Sequence, residues 1–286
     1  MQKGDKISPP FWVQASENPE DIVIDYPNPF DTIEWTQVIR AQIYERRIKG
    51  VCKKLLTGRK KGLAVHLQTL YDMSGRYIQE NGVCRVLDFG GGRGDNYAEL
   101  IRYDGKRLAD RLRYFIMDTP VNCEAGAKDY NDNPHVRFLA NTGKQKDAES
   151  HQQELKSAHL DIVFICATLE YIIPYTELLD YLAALRADYF ILVRNPMCDR
   201  EKTFYCKQMI SPAFGRWKGR YLGDIKIAIV SKSELLCCFA EHSYDLREGK
   251  NRIDCSTSYG LGFPQEYKQV YYETLVMQNR EKRQAK

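Results

Sequence analysis

The sequence lacks the features that mark membrane-spanning, secreted and zinc-binding proteins. No apolar run approaches the ~20 residues that a membrane-spanning helix needs, and residues 1–6 lead into no apolar core of the kind that a signal peptide has. Nine cysteines are present, and no two of them have the Cys-x-x-Cys spacing of zinc sites and redox pairs. The five histidines are dispersed, so we predict no metal site. We expect reduced, packed thiols in a cytoplasmic protein.

An excess of charge of one sign is also lacking. The formal net charge is +4, which is too small by itself to indicate a nucleic-acid partner. Basic residues do cluster on one face of a helix predicted over 31–56, which is either solvated or directed to an acidic partner, such as a phosphorylated substrate or a membrane surface. With 286 residues the chain is long enough for a full α/β core and an accessory segment. The sequence leaves the formation of an oligomer open.

Apolar runs alternate with helical patterns along most of the chain. The pattern predicts helices over 63–79, 95–102, 122–130, 175–186 and 232–241. It predicts strands over 84–88, 114–118, 136–139, 161–166, 189–194, 243–248 and 269–277. This alternation is typical of a mostly parallel sheet with helices on both faces. The last two strands are too close for a crossover helix, so one of them is predicted to run antiparallel.

We divide the chain at residue 80. Residues 1–80 form a mainly helical N-terminal extension with a proline-rich, irregular start, and 81–286 form an α/β domain. Within that domain, 195–230 interrupt the alternation with aromatic and basic residues, Trp217 among them. Because this stretch follows the fifth predicted strand, at the sheet edge where ligands bind in open α/β folds, we predict a substrate lid with Trp217 as a substrate-binding residue.

The most informative motif is a glycine-rich turn after the first strand of the alternating region. Residues 88–94 read Asp-Phe-Gly-Gly-Gly-Arg-Gly, and the alternate glycines allow a sharp turn and a close approach to a cofactor; they are Gly90, Gly92 and Gly94. A dinucleotide site usually has Gly-x-Gly-x-x-Gly, which directs the helix start at a pyrophosphate. Here Asp95 takes the place of the last glycine, and its carboxylate would repel a pyrophosphate. With Asp88 adding negative charge, the motif favours S-adenosylmethionine, a cation without phosphate.

Two polar residues at neighbouring strand ends complete the predicted cofactor site. Asp118 ends the second strand of this unit, where a carboxylate can accept hydrogen bonds from both ribose hydroxyls. Asn141 follows the third strand and is a polar partner for the adenine edge. Each has a structural alternative: Asp88 as an acid that caps the loop, Asp118 as a helix N-cap before Thr119, and Asn141 as a turn residue.

From about residue 84 to 245 the chain resembles the class I, Rossmann-like S-adenosylmethionine-dependent methyltransferases. The stretches 87–92, 169–172 and 193–196 carry the resemblance. More narrowly, the chain resembles a bacterial methyltransferase family associated with cell-surface polysaccharide synthesis. It departs from that family's pattern at Glu170, where glutamine is expected, and at Asn195, where threonine is more usual. The resemblance implies a seven-stranded, mostly parallel sheet with the last strand antiparallel.

Methyl transfer needs an aligned acceptor, and a hydroxyl acceptor also needs a base near the methyl group. The loop after the fourth strand of the unit lies beside that position, so we predict Glu170 as the base and Tyr171 as the residue that positions the acceptor. Arg194 is predicted to hold an anionic part of the acceptor. The alternatives are that Glu170 begins a helix and faces solvent, and that Arg194 pairs with a helix acid.

These residues lead to a primary hypothesis and three competing ones. The primary hypothesis is O-methylation of a sugar, glycan or other small molecule. Methylation of RNA or protein is the rival within the same enzyme class, and the basic helix and lid are the features that favour it. A non-catalytic cofactor-binding protein and an NAD-dependent oxidoreductase belong to other classes.

Overall fold

Twelve strands form one sheet in the computed structural model, which describes residues 11–25, 62–211, 219–255 and 261–283. The strands are β1 (Trp12–Ser16), β2 (Cys84–Phe89), β3 (Leu112–Asp118), β4 (Val136–Ala140), β5 (Ile162–Cys166), β6 (Tyr189–Val193), β7 (Pro196–Cys198), β8 (Phe204–Ile210), β9 (Gly223–Ser231), β10 (Tyr244–Asp254), β11 (Leu261–Gly262) and β12 (Val270–Asn279). The helices are α1 (Val65–Asn81), α2 (Asp95–Leu108), α3 (Pro120–Asp129), α4 (Gln145–Ala158), α5 (Tyr175–Ala183), α6 (Lys232–Glu241) and α7 (Arg280–Arg283). Short 3-10 turns occupy Pro19–Asp21, Leu169–Tyr171 and Gln265–Tyr267.

Seven of these strands match the predicted ones and lie side by side in the order β4-β3-β2-β5-β6-β12-β10. The pairs among β4, β3, β2, β5 and β6 are parallel, whereas β12 is antiparallel to both β6 and β10. The prediction of an antiparallel last strand is therefore confirmed. The predicted total of seven strands is wrong, because the sheet continues through β7, β9, β8, β1 and β11.

Side chains of the parallel strands alternate between two hydrophobic cores, one on each face of the sheet. On β5, Val163 and Ile165 join the core formed with α4, α5 and α6, whereas Ile162 and Phe164 join the core formed with α1 and α2. Both faces are covered, which explains why these strands are almost uninterrupted apolar runs. The prediction of helices on both faces is confirmed.

The sheet divides after β6, and this division positions the candidate site. Strands β6 and β7 both pair with β12, but Arg194 and Asn195 interrupt them. On its other side β6 pairs with β5, whereas β7 pairs with β9. The strands next to β6 and β7 therefore diverge at residues 194 and 195. The 3-10 turn after β5 packs against β9 at this division.

Much of the segment 195–230 forms strands. Alternate residues of β8 and β9 enter a third hydrophobic core, which they share with Trp12 of β1; they are Phe204, Cys206, Ile210, Ile225, Ile227 and Ile229. Residues 212–218, which include Trp217, lie outside the described residues. The role of this segment as a substrate lid stays a prediction.

The structure contains two elements that the sequence pattern did not predict, a polar helix and a strand near the N-terminus. Helix α4 has no counterpart in the prediction, because Leu155 is its only buried residue and the apolar period is therefore weak. The start of the chain was expected to be irregular, but β1 pairs with β8 within it. The predicted basic helix over 31–56 lies outside the described residues. None of the described helices is long and apolar enough to cross a membrane.

Candidate active site

The glycine-rich turn connects β2 to α2 and has the backbone conformation that its glycines predict. Gly90, Gly92 and Gly94 have φ angles of +73°, +60° and +86°, which other residues rarely adopt. A Cβ atom on Gly90 would lie 2.1 Å from the Thr168 hydroxyl oxygen, whereas a Cβ atom on Gly92 would meet no atom within 4 Å. The turn therefore touches the loop after β5 at Gly90 and leaves room for a ligand at Gly92.

Asp118 connects the end of β3 to this turn. Its Oδ2 accepts a hydrogen bond of 2.7 Å from the Gly92 backbone N–H. Its Oδ1 accepts bonds of 2.7 Å from the Thr119 N–H and from the Asn122 side-chain amide. The N-cap of α3 is Thr119, so Asp118 is not the cap itself. An ionised carboxylate can accept about four hydrogen bonds, so Asp118 retains capacity for a ligand hydroxyl.

Asp88 lies beneath the turn and is fully buried. Its Oδ2 accepts hydrogen bonds from the Tyr114 hydroxyl at 2.9 Å and from the Asn96 amide at 3.1 Å, while its Oδ1 has no partner. A Cβ atom on Gly91 would lie 2.6 Å from the Asp88 carboxyl carbon. Burial raises the pKa of Asp88 from 3.8 to about 7, although both hydrogen bonds oppose the shift. This placement favours the structural alternative, an acid that supports the loop from below.

The raised pKa of Asp88 makes the stability of the fold depend on pH. Because the folded state binds this proton more tightly than the unfolded state, the stabilisation is complete below pH 3.8 and is lost as the pH rises to about 7. Asp88→Asn imitates the protonated acid and should remove the effect. Between pH 4.5 and 7.5 we expect the free energy of unfolding of the wild type to fall by about 3 kcal/mol relative to the variant. Urea denaturation at both values measures this difference.

Asp132→Asn is the matched control for this experiment, because the Asp132 side chain is exposed. This control should leave the pH dependence of the wild type unchanged. Equal pH dependence in the wild type and Asp88→Asn would contradict the assignment.

Among the described residues, two carboxylates border the turn. Asp95 is the first residue of α2, and Asp118 binds the Gly92 backbone N–H. The cation within the turn, Arg93, forms an ion pair with Asp129. Since this pair neutralises the Arg93 guanidinium, the described residues of the turn suit a cationic ligand better than a pyrophosphate.

The other predicted cofactor residue lies at the same edge of the sheet. The Asn141 backbone N–H donates a 2.7 Å hydrogen bond to the Asp118 carbonyl oxygen, which places Asn141 beside the end of β3. Its side-chain oxygen accepts from the Gly143 N–H at 3.2 Å, as in a turn, and the residue is exposed. Both the turn role and contact with a ligand are compatible with this position.

Glu170 lies in the 3-10 turn after β5 and is only 5% exposed. Its Oε2 has no hydrogen-bond partner. Burial raises the pKa of Glu170 from 4.5 to about 8, and the charge of Arg194 partly opposes this rise. The alternative in which Glu170 begins a helix and faces solvent is wrong. A buried carboxyl group with an unused oxygen, at the carboxyl edge of a parallel sheet, has the properties of a general base.

Two other predicted site residues, Arg194 and Tyr171, lie near Glu170. Arg194 follows β6, is exposed and has a φ angle of +59°, a strained value for a residue with a side chain. The described residues offer it no ion pair with a helix acid, the alternative considered from the sequence. The Tyr171 hydroxyl donates a 3.2 Å hydrogen bond to the Gln208 side-chain oxygen on β8. Tyr171 therefore connects the turn to the second part of the sheet.

Asn195 is a site residue that sequence reasoning did not assign. Its buried side chain bonds the ends of β5 and β6 and the start of the Glu170 turn. The sequence signal was its position directly after an apolar strand, next to Arg194.

Two cavities lie away from this edge of the sheet and contain none of the predicted site residues. One, of about 550 Å³, is lined by Tyr77, Tyr189 and Arg247 among others. The other, of about 750 Å³, is lined by Tyr97, Tyr130 and others. In the described ranges, no group of three His, Cys, Asp or Glu side chains could hold a metal ion, and the eight cysteines are free.

No family model matches this chain, and no curated protein sequence matches it either. Solved structures give weak similarities. An O-methyltransferase family protein from Burkholderia thailandensis has 14% identity and a TM-score of 0.43, over 74% of this chain and 56% of that one. This chain thus spans little more than half of the length of that protein.

Two further structures were solved with S-adenosylhomocysteine. The 1,6-didemethyltoxoflavin-N1-methyltransferase of Burkholderia thailandensis has 14% identity and a TM-score of 0.42, over 90% of this chain and 93% of that one. An O-methyltransferase from a polyketide synthase multienzyme of Brevibacillus brevis has 12% identity and a TM-score of 0.47, over 74% and 72%. Similarities this low establish neither a family nor an activity for this chain, so the function rests on the site itself.

Proposed function

We propose that this protein is an S-adenosylmethionine-dependent methyltransferase that methylates a hydroxyl group of a sugar, glycan or other small molecule. The observation that carries the proposal is the electrostatic character of the glycine-rich turn. Two carboxylates border it, on Asp95 and Asp118, and its one cation, Arg93, is paired with Asp129. A sulfonium with an ammonium group suits this environment, whereas a dinucleotide pyrophosphate does not.

The residues at the turn fit this cofactor. Asp118 would accept hydrogen bonds from the ribose, Gly92 would allow close approach, and Asn141 would lie near the adenine. Gly90 and Gly94 would give the turn its shape, and Asp88 would support it from below. When bound, S-adenosylmethionine supplies an electrophilic methyl group.

The residues after β5 and β6 would handle the acceptor. Glu170 would accept the proton of the acceptor hydroxyl, which makes that oxygen a stronger nucleophile. Tyr171 would orient the acceptor, and Arg194 would bind an anionic group of it. Trp217 would add an aromatic contact. Through its narrower resemblance, the sequence favours an acceptor from cell-surface polysaccharide synthesis.

Transfer of an isotope-labelled methyl group tests the reaction. The purified chain is incubated with labelled S-adenosylmethionine and, in separate reactions, with nucleotide sugars, glycans, RNA and protein. Label in a sugar or glycan, at oxygen, is the expected result. Label in RNA or protein would support the rival methyltransferase hypothesis. Tight cofactor binding without label in any acceptor would favour a non-catalytic cofactor-binding protein.

A further inference from the structure

Asn195 makes four hydrogen bonds from a fully buried side chain. It follows Arg194 at the division of the sheet and has 0% exposure. Its Oδ1 accepts from the backbone N–H groups of Thr168 and Leu169 at 3.2 and 3.0 Å. Its Nδ2 donates to the carbonyl oxygens of Ile165 and Val193, both at 3.2 Å.

This arrangement uses the complete hydrogen-bonding capacity of a primary amide. The amide has two acceptor positions on oxygen and two donor hydrogens on nitrogen, and all four are engaged with the backbone. An aspartate would lose both donors and would place its charge against two carbonyl oxygens. A threonine would offer only one donor. Asparagine is therefore the residue that can bond all four backbone groups at once.

The two backbone N–H groups held by Asn195 directly precede Glu170. The Glu170 carboxyl group has an oxygen without a partner, so the position of this side chain depends on the turn that carries it. The Glu170 turn also touches the glycine-rich turn, since the Thr168 side chain occupies the space where Gly90 lacks a Cβ atom. The amide thus fixes the turn relative to two strands and, through Thr168, relative to the glycine-rich turn.

We propose that Asn195 is a positioning residue. Its side-chain amide holds the Glu170 turn at a fixed place between β5, β6 and the glycine-rich turn. The role of Glu170 in this inference rests on the proposed function. The fixing of the turn by the Asn195 amide does not depend on that function. Asn195 acts through the turn and needs no contact with cofactor or acceptor.

The test compares Asn195→Ala and Asn195→Thr with a matched control, Asn279→Ala. Asn279 is also buried, at 3% exposure, and its amide donates to the Ala187 carbonyl oxygen at the opposite end of the parallel strands. The first readout is the titration of the Glu170 carboxyl carbon, followed by NMR in chain labelled with carbon-13 glutamate and assigned with Glu170→Gln. This readout needs neither cofactor nor acceptor.

In the wild type we expect Glu170 to titrate near pH 8. In both Asn195 variants the turn should open to water, and the midpoint should fall by at least about one pH unit towards the ordinary value of a glutamate. Asn279→Ala should leave it unchanged. With an identified acceptor, kcat should fall by about 10- to 100-fold while KM changes little. An unchanged Glu170 titration in a folded Asn195 variant would overturn the proposal.

Hydrogen exchange on the wild type decides the matter if neither variant folds. The Thr168 and Leu169 amides should be protected from exchange, because Asn195 binds both in the interior. Rapid exchange at both would overturn the proposal. Absence of S-adenosylhomocysteine binding, with the Glu170 titration shifted as expected, would reject the methyltransferase function and retain the positioning role.

Discussion

Glu170→Gln is expected to slow methyl transfer by about 10²- to 10⁴-fold, the usual contribution of a general base. Glutamine preserves the size of the side chain and its place in the turn, but it cannot accept a proton from the acceptor hydroxyl. The affinity for S-adenosylhomocysteine should stay unchanged, because the proposed role of Glu170 is towards the acceptor and not the cofactor. Single-turnover kinetics with labelled S-adenosylmethionine measures the rate, and calorimetry measures the affinity.

The pH dependence of the rate gives this prediction a second readout. A base must lose its proton before it acts, and burial raises the pKa of Glu170 to about 8. The wild-type rate should therefore rise with pH and level off above about pH 8, and the variant should lack this rise. Glu154→Gln, on the surface of α4, is a matched control that should behave as wild type. A variant that keeps both the wild-type rate and its pH profile would exclude Glu170 as the base.

Asp118→Ala is expected to weaken S-adenosylhomocysteine binding by about 100-fold. The substitution removes the charged acceptor for the ribose hydroxyls, and hydrogen bonds to charged groups contribute about 1.5–3 kcal/mol each. It also releases the Gly92 N–H, which Asp118 holds at 2.7 Å. Asp118→Asn, which keeps one acceptor oxygen, should have an intermediate affinity.

Asp110→Ala serves as the control for this second prediction. Its side chain is 96% exposed, in the turn that precedes β3, at the end of the strand opposite Asp118. Thermal unfolding of each variant separates a lost contact from a lost fold. Wild-type affinity in folded Asp118→Ala would show that the ligand binds elsewhere.

Local sequence patterns predicted the position of the glycine-rich turn and of Asp118 beside it. The turn at 88–94 and the acid at the end of β3 follow each other within one strand-turn-helix-strand unit, so glycine chemistry and strand ends were sufficient to place them. Helix α6 has the predicted bounds, 232–241, because its apolar residues follow a helical period. The backbone angles of the three alternate glycines agree with the reason for their prediction.

The burial of Glu170 could not be predicted from the residues near it in the sequence. Its burial depends on β9, which begins at Gly223 and packs against the 3-10 turn. Three of the four bonds of Asn195 likewise join residues 26 to 30 positions apart. Contacts of this kind depend on the place where the sheet divides. The hydrophobic periodicity of a single sequence does not indicate that place.

The strands of the segment 195–230 did leave a signal. Phe204 and Cys206, and Ile225 and Ile227, have the spacing of two that a half-buried strand shows. The aromatic and basic residues elsewhere in this segment favoured the prediction of a lid instead of strands. Helix α4, in contrast, left almost no signal. Only Leu155 of this helix is buried, so its apolar residues show no clear helical period.

Calorimetric titration of the wild-type chain with S-adenosylhomocysteine, and separately with NADH, distinguishes a methyltransferase cofactor site from a dinucleotide site. S-adenosylhomocysteine keeps the adenosine and the ammonium group and has no pyrophosphate, so we expect it to bind with a Kd of about 1 μM. The carboxylates at the glycine-rich turn oppose the NADH pyrophosphate, so we expect no measurable binding of NADH. Binding of NADH without binding of S-adenosylhomocysteine, in folded protein, would contradict the account.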